Sequence, residues 1–386
     1  MKWPEEFASS QKDRQALLVL LSLPSLTARR LLEMAEHLPT ACACLAAIRD
    51  GAEGSEGDGE RARKLTADEV AARLEAIGGR LVAVHDSEYP TSLLDLYDPP
   101  PGVFVRGRRL DPEAVAVAVV GARSCSPSGR EVSTAIGRAL GEAGACVVSG
   151  GARGIDAAAH RGALDADGRT VCVLGSGLDV VYPPRHENLL SEIAERGTLL
   201  TEYGPGIPAE PFRFPARNRL VAALARATVV VEGAAGSGSM ITVNHALELG
   251  RDVFAVPGSV SAALAAVPLE LIRDGATPIR GPDDLLADLG LVSAPSMLEM
   301  NPDGAPEISS KFSDAERRVW HALKATSAPD QLAPATGMPL SRVVAALTSL
   351  ELNGMVRAIG GRYERRRSRT SLNAADAVLE VGHRLT

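Results

Sequence analysis

Between residues 115 and 260 the chain alternates, almost without interruption, between short β-branched apolar runs and longer segments of helical spacing. The runs fall at 115–120, 146–149, 171–174, 199–202, 228–232 and 253–256; between them apolar residues recur as Val132, Ile136, Ala139 and Leu140 do. A strand apolar on both faces must be covered on both faces, and a helix-length connection returns the next strand parallel to the last. The pattern predicts an α/β fold with a doubly wound, mostly parallel, Rossmann-like sheet. In such a sheet the loops leaving the carboxyl ends of the strands converge on one crevice, where ligands bind.

Those loops carry the chemistry. They read GARSCSPSG (121–129), SGGARGIDAAAH (149–160), GSGLDVVYP (175–183), FPARNR (214–219), EGAAGSGSMIT (232–242) and PGS (257–259). Ser128 with Glu131, and Asp156, stand where they would cap the helices that follow the first two. Glycines let a backbone approach a ligand closely, and helix starts present unpaired N–H groups, so these loops suit phosphates. Between 115 and 260 there are 13 arginines, no lysine and 14 acidic residues, a near-neutral balance. Yet Arg123, Arg153, Arg217 and Arg219 all fall in strand-end loops or at helix starts, where four guanidinium groups would recognise phosphates and stack on bases. Surface or structural ion pairing is the competing account of each.

The remainder of the 386 residues, 40.3 kDa in all, leaves room for two or three domains. GAEGSEGDGE (51–60) and residues 292–310 read as linkers. The expected division is an N-terminal helical domain (1–60), the Rossmann-like domain (61–291), a linker (292–310), a C-terminal module (311–370) and a tail without pattern (371–386). In the module, Ser313 and Glu316 form a capping-box pattern, and a short helix, 331–336, turns through Gly337 into Leu340–Leu352. MVRAI, Gly360–Gly361 and RYERR then predict a two-stranded wing, giving a winged helix-turn-helix. Its second long helix offers Arg342 and Ser341 but mostly apolar residues, which predicts a protein contact rather than groove reading. The basic residues Arg362, Arg365, Arg366, Arg367 and Arg369 would add non-specific phosphate contacts or form a solvated charge run.

Several classes are disfavoured. The longest apolar runs, such as 114–120, are too short for a membrane span, and MKWPEEF is not a basic signal-peptide start, so a soluble cytoplasmic protein is expected. Five scattered cysteines (Cys42, Cys44, Cys125, Cys146, Cys172) show neither a disulfide framework nor zinc spacing; no metal or cofactor is expected. The net charge of −7 argues mildly against nucleic acid, but local arrangement decides recognition. There is no complete G-x-G-x-x-G and no G-x-x-x-x-G-K-[ST]. Asp156, His160 and Glu232 are a conceivable acid–base set, with capping, packing and loop ordering as their structural accounts.

At these loops the chain resembles the DprA/Smf family, the DNA-processing proteins of bacterial natural transformation. The match begins at LVAVHDSEYPTSLLDLYDPPPGVFVRG (81–107) and runs through the Gly121-x-Arg123 turn and SGGARGIDAAAH. It continues through VYP, FPARNR, SGSMIT, GRDVFAVPG (250–258) and LIRDGA (271–276), some 200 residues in all. The helical head, QALLVLLSLPSLTARRLLEMAEHL (15–38), of sterile-alpha-motif or helix-hairpin-helix type, and the winged tail suit the family's three-part layout. The resemblance implies a non-catalytic cytoplasmic protein that binds and protects single-stranded DNA, helps load the RecA recombinase onto it, and dimerises through the Rossmann-like domain. It implies DNA contacts from Arg123, then Arg153, Arg217, Asn218 and Arg219, with phosphate contacts from Ser237, Ser239 and Thr242 and close backbone approach at Gly121, Gly150 and Gly154. Glu232 is a further possible member. The chain departs from the family where Ser128 replaces a usual tyrosine, His186 an asparagine, and Val267-Pro268-Leu269 a glycine-x-asparagine turn. Pro334 lies within the short winged-module helix. The alternative function is a sensor or phosphoribohydrolase-like enzyme for a nucleotide derivative in the same crevice, although the SGSMIT loop lacks the glutamate such hydrolases carry.

Overall fold

All six expected strands form, each within two residues of its expected ends, in the computed structural model, which describes residues 2–291, 312–323, 327–352, 356–359 and 362–365. They are β3 (Ala116–Val120), β4 (Cys146–Ser149), β5 (Arg169–Val173), β6 (Thr198–Thr201), β7 (Ala227–Val230) and β8 (Asp252–Ala255). Three more extend the sheet: β1 (Gly79–Ala83), β2 (Gly102–Gly107) and the two-residue β9 (Thr277–Pro278). The order is β1-β2-β6-β5-β4-β3-β7-β8-β9, with β1–β2 and β2–β6 antiparallel and every other pair parallel. From β3 the chain steps outward to β4, β5 and β6, then returns past β3 to lay down β7, β8 and β9. The winding therefore reverses between β3 and β7, and their carboxyl ends flank the crevice.

Helices Pro127–Glu142, Ile155–Asp165 and Pro282–Asp288 bury Ile136, Leu140, Ala159 and Leu285 against one face of the sheet. Helices Arg213–Leu224, Ser239–Glu248 and Ala266–Arg273 bury Leu220, Val243 and Leu271 against the other. The latter core continues without a break into the N-terminal helices through Leu17, Leu20, Leu31 and Ile48. The N-terminal helices, expected as a separate domain, thus share a core with the sheet, and the described residues 2–291 belong to one compact unit. The expected linker at 51–60 is a correction of the same kind. Ser55 caps helix Glu56–Lys64, and the buried Asp58 carboxylate accepts the Ser55 hydroxyl (2.8 Å) and the Ser25 amide (3.2 Å). Each of the five N-terminal helices starts in this way, with Ser10, Thr27, Thr40, Ser55 or Thr66 accepting the amide three residues on.

The described residues of the second unit, from 312 to 365, contain helices Asp314–Ala322, Pro329–Thr336 and Leu340–Leu352 and the antiparallel pair β10 (Val356–Ile359) and β11 (Arg362–Arg365). The Ser313–Glu316 capping box is present, with Glu316 accepting the Ser313 amide at 2.6 Å. The short helix begins two residues earlier than expected, at Pro329, and carries Pro334 through to a left-handed Gly337 cap. Val319, Trp320, Leu332, Val343, Leu347 and Val356 form the core of this unit. The linker at 292–310, the Gly360–Gly361 turn, Arg366, Arg367 and Arg369, and the tail at 371–386 lie outside the described residues.

Candidate nucleic-acid interface

A cleft of about 490 Å³ opens at the β3/β7 reversal. The Gly121–Ser124 turn, Gly150, Ala152, the first turns of helix Arg213–Leu224 and the 234–239 loop line it. Glu232, at the end of β7, ties the two sides together. Its carbonyl accepts the Ala122 amide (2.8 Å), and its carboxylate accepts the Ser126 amide (2.8 Å) and hydroxyl (2.5 Å). Ser126, followed by Pro127, is the actual cap of the next helix; Ser128 is an exposed side chain of that helix's first turn and does not cap it.

The neighbouring loops are stitched on in turn. The Ile155 amide donates to the Ala122 carbonyl (3.2 Å), and the His186 ring nitrogen lies 3.0 Å from the Gly151 carbonyl. Gly154 sits at φ +81°, and a Cβ there would collide with the Ala122 and Arg123 carbonyls. Asp156 does not cap its own helix, which starts from Gly154. Its carboxylate turns back to accept the Gly150 (3.2 Å) and Ala152 (3.3 Å) amides. On the far side Ser237 and Ser239 share a hydroxyl–hydroxyl bond (2.9 Å), and with Thr242 they line the cleft. Val267 is buried and donates its amide to the Gly233 carbonyl (2.9 Å), so Val267-Pro268-Leu269 braces the back of this loop instead of contributing a polar rim.

The four arginines fare differently. Arg123 is exposed at the cleft mouth, its guanidinium 5.8 Å from the Phe214 ring centroid, and Phe214 stacks on Tyr182 at 5.0 Å. Arg153 is exposed on the adjoining loop. Arg217 lines the cleft but is spent internally: buried, it donates to the Gly150 carbonyl (2.6 Å), the Val173 carbonyl and Asn218 Oδ1 (3.2 Å), within the field of Asp156. Burial pushes its pKa down and that of Asp156 up, while each charge favours the other's ionisation. Arg219 does not join the cleft. It is buried on the opposite side of its helix, paired with Glu202 (2.5 Å) and Asp98 (3.5 Å). Asn218 links Arg217 to the Gly238 carbonyl (3.5 Å) across the cleft.

Two cations were not singled out from the sequence. Arg130, in the first turn of the β3 helix, and Arg185, beside His186, are exposed and make no ion pair with any described residue, as is true of Arg123 and Arg153. Arg130 lies one residue past the 121–129 loop and Arg185 two past the 175–183 loop, so position after a strand end was the available signal. The Tyr182 and Phe214 rings lie in VYP and FPARNR, two motifs 30 residues apart that only the fold brings together. A smaller cavity, about 230 Å³, opens elsewhere on the sheet domain, beside Arg109 and Arg169, which pair with Glu88 and Asp111.

Asp156, His160 and Glu232 are each engaged by separate structural partners. His160 is fully buried with Nδ1 2.7 Å from Thr170 Oγ1, and burial beside Arg217 pushes its pKa down to about 3. Between its ordinary 6.5 and about 3, the unfolded chain binds a proton that the folded chain refuses. Stability should therefore fall as pH drops through this window, by up to ~1.4 kcal/mol per pH unit from this group. Urea midpoints at about pH 7 and about pH 5.5 should show a smaller decline for His160→Gln than for the parent; an equal decline would discount the residue.

The comparisons with known proteins follow this geometry. The family model for DNA recombination-mediator protein A matches residues 80–290, and that for the DprA winged helix domain matches 302–362. The chain belongs to the DprA family. A putative DNA processing protein DprA of Mycobacterium tuberculosis is 38% identical over 337 residues, covering 82% of this chain and 85% of that one. The DprA protein of Streptococcus pneumoniae is 42% identical over 206 residues, 53% of this chain and 73% of the relative. The crystal structure of the S. pneumoniae protein aligns with a TM-score of 0.60 at 34% identity, covering 70% of this chain and 95% of that chain. The DprA match spans β1 to the end of the sheet domain, so the switch-point cleft lies wholly within it.

Proposed function

We propose that the chain binds single-stranded DNA in the β3/β7 cleft and presents it to the RecA recombinase during DNA recombination in the cytoplasm, transformation included. The observation that carries this reading is Arg123: an exposed guanidinium with no carboxylate partner, lying over the Phe214–Tyr182 stack at the mouth of a cleft walled by loop amides. Phosphates meet a free cation and bases meet aromatic faces that a paired duplex would not offer its bases to. Arg130, Arg153 and Arg185, exposed and without an ion pair to any described residue in the segments that follow β3, β4 and β5, would add further phosphate contacts. The RecA handover and a homodimer are supported by family membership, the matching model being that of a recombination mediator. No duplex-reading role is proposed for the winged unit, because helix Leu340–Leu352 exposes Leu340, Ser341, Val344, Ala345 and Thr348, with Arg342 as its basic side chain.

Fluorescence anisotropy with labelled single- and double-stranded oligonucleotides across a salt series tests this. Four free arginines predict a log–log salt slope of about 3, and Arg123→Ala should lower it by about 0.7 while weakening binding. Preference for duplex, or an Arg123→Ala slope equal to the parent's, would overturn the reading.

A further inference from the structure

The residues lining the cleft are of two kinds. Arg123, Ser124, Ala235 and Gly236 are exposed and form its mouth; Val120, Val221, Ser239 and Thr242 are buried and close its inner end. Two polar side chains more than nine-tenths buried line this space with a group left over. Arg217, 4% exposed, uses Nη1 on the Gly150 and Val173 carbonyls and Nε on Asn218, but its Nη2 donates to no described residue. Thr242, 2% exposed, has a hydroxyl that bonds to no described residue. Asn218 joins the two walls, from Arg217 Nε (3.2 Å) to the Gly238 carbonyl (3.5 Å), where helix Ser239–Glu248 starts without a side-chain cap. The positive end of that helix and the Ser237 and Ser239 hydroxyls border the same cavity. Asp156 borders it too, but its carboxylate is turned onto the Gly150 and Ala152 amides.

We propose that the inner end of the cleft is a phosphomonoester site, which takes the terminal phosphate of a DNA strand whose first nucleotide lies toward the mouth at Arg123. The assignment rests on the single-stranded-DNA reading of the cleft and goes beyond it in telling a strand end from a strand interior. An internal phosphodiester needs chain on both sides, and an inner end closed by Val120, Val221 and Thr242 offers one way out. The volume, about 490 Å³, is in the range of roughly 300–1,000 Å³ that encloses a single small molecule, so it suits one nucleotide better than a passing strand. A terminal phosphate also brings about −1.5 to −2 charge and three acceptor oxygens, more than a diester does. Arg217 Nη2, Thr242 Oγ1 and Ser239 Oγ are the donors that meet them. A free nucleoside monophosphate carries the same group.

The test uses the full chain and an internally labelled oligothymidylate of about 10 nucleotides bearing a 5′-phosphate, a 3′-phosphate or hydroxyls at both ends, read by anisotropy. One phosphorylated strand should bind about tenfold tighter than the hydroxyl-ended strand, the effect of a hydrogen bond to a charged group. Thr242→Val, close in shape but without the hydroxyl, should bring that ratio close to one, and Ser239→Ala should lower it in the same direction. Displacement of the labelled strand by thymidine 5′-monophosphate but not by thymidine would support the site, and with a strand ratio of one it would make the free nucleotide the occupant. A ratio of one for both phosphorylated strands without such displacement, while the hydroxyl-ended strand still binds, would overturn this inference alone. Retention of the full ratio by both variants would also overturn it. Absence of any single-stranded-DNA binding by the parent would instead overturn the reading of the cleft.

Discussion

Arg217→Met should destabilise the sheet unit by about 3–5 kcal/mol, a large fraction of the 5–15 kcal/mol that holds a typical domain together. The guanidinium occupies the space beside Gly150, bonds the carbonyls of Gly150 and Val173, and lies in the field of the buried Asp156. Removing it leaves a carboxylate without its counter-charge and two carbonyls without a donor. Lysine would not substitute, since a single ammonium cannot reproduce the guanidinium fork. The urea midpoint should shift at constant m, and adding Asp156→Asn to Arg217→Met should recover part of the loss by removing the stranded charge. A cost below about 1 kcal/mol would mean that the loop is held by something else. DNA affinity should fall as well, in part through a loosened Gly150 loop.

The second large effect concerns the turn that carries Arg123. Gly154→Ala should weaken single-stranded-DNA binding at least as much as Arg123→Ala, although residue 154 does not line the cleft. The substituted residue must hold φ near +81° with ψ near −122°, a sparsely populated region that costs a non-glycine residue about 1–3 kcal/mol, and its Cβ drives into the Ala122 and Arg123 carbonyls. The turn must move and the guanidinium with it. Gly144 supplies the control: its φ is +77° but a Cβ there meets nothing within 4 Å. Gly144→Ala should show the backbone cost in thermal melting with unaltered anisotropy curves. If Gly154→Ala binds as tightly as Gly144→Ala, the turn is not what positions Arg123.

The central strands were readable because their residues are apolar on both faces and their spacing is regular. β1 and β2 carry no such pattern: GRLVA and GVFVRG are short and include glycine and arginine, and their strand character comes from antiparallel pairing with each other and with β6. The 51–60 stretch misled because its composition is that of a linker, whereas one serine cap and one buried aspartate suffice to make it helical. The site was legible at the level of position but not of pairing. Arg123 and Arg153 do stand in strand-end loops, whereas Arg217 and Arg219 lie in the second turn of helix Arg213–Leu224. Whether its charge is free depends on Glu202, Asp98, Gly150 and Val173, which other elements bring to Arg219 and Arg217. A guanidinium held by distant carboxylates or carbonyls looks, in sequence, the same as one facing water.

Glu232 fastens both banks of the opening to each other through Ser126 and Ala122, so the gap between them is set when the chain folds. An incoming strand meets jaws that are already locked at one width, and it is the pliable guest, not the host, that must bend to fit.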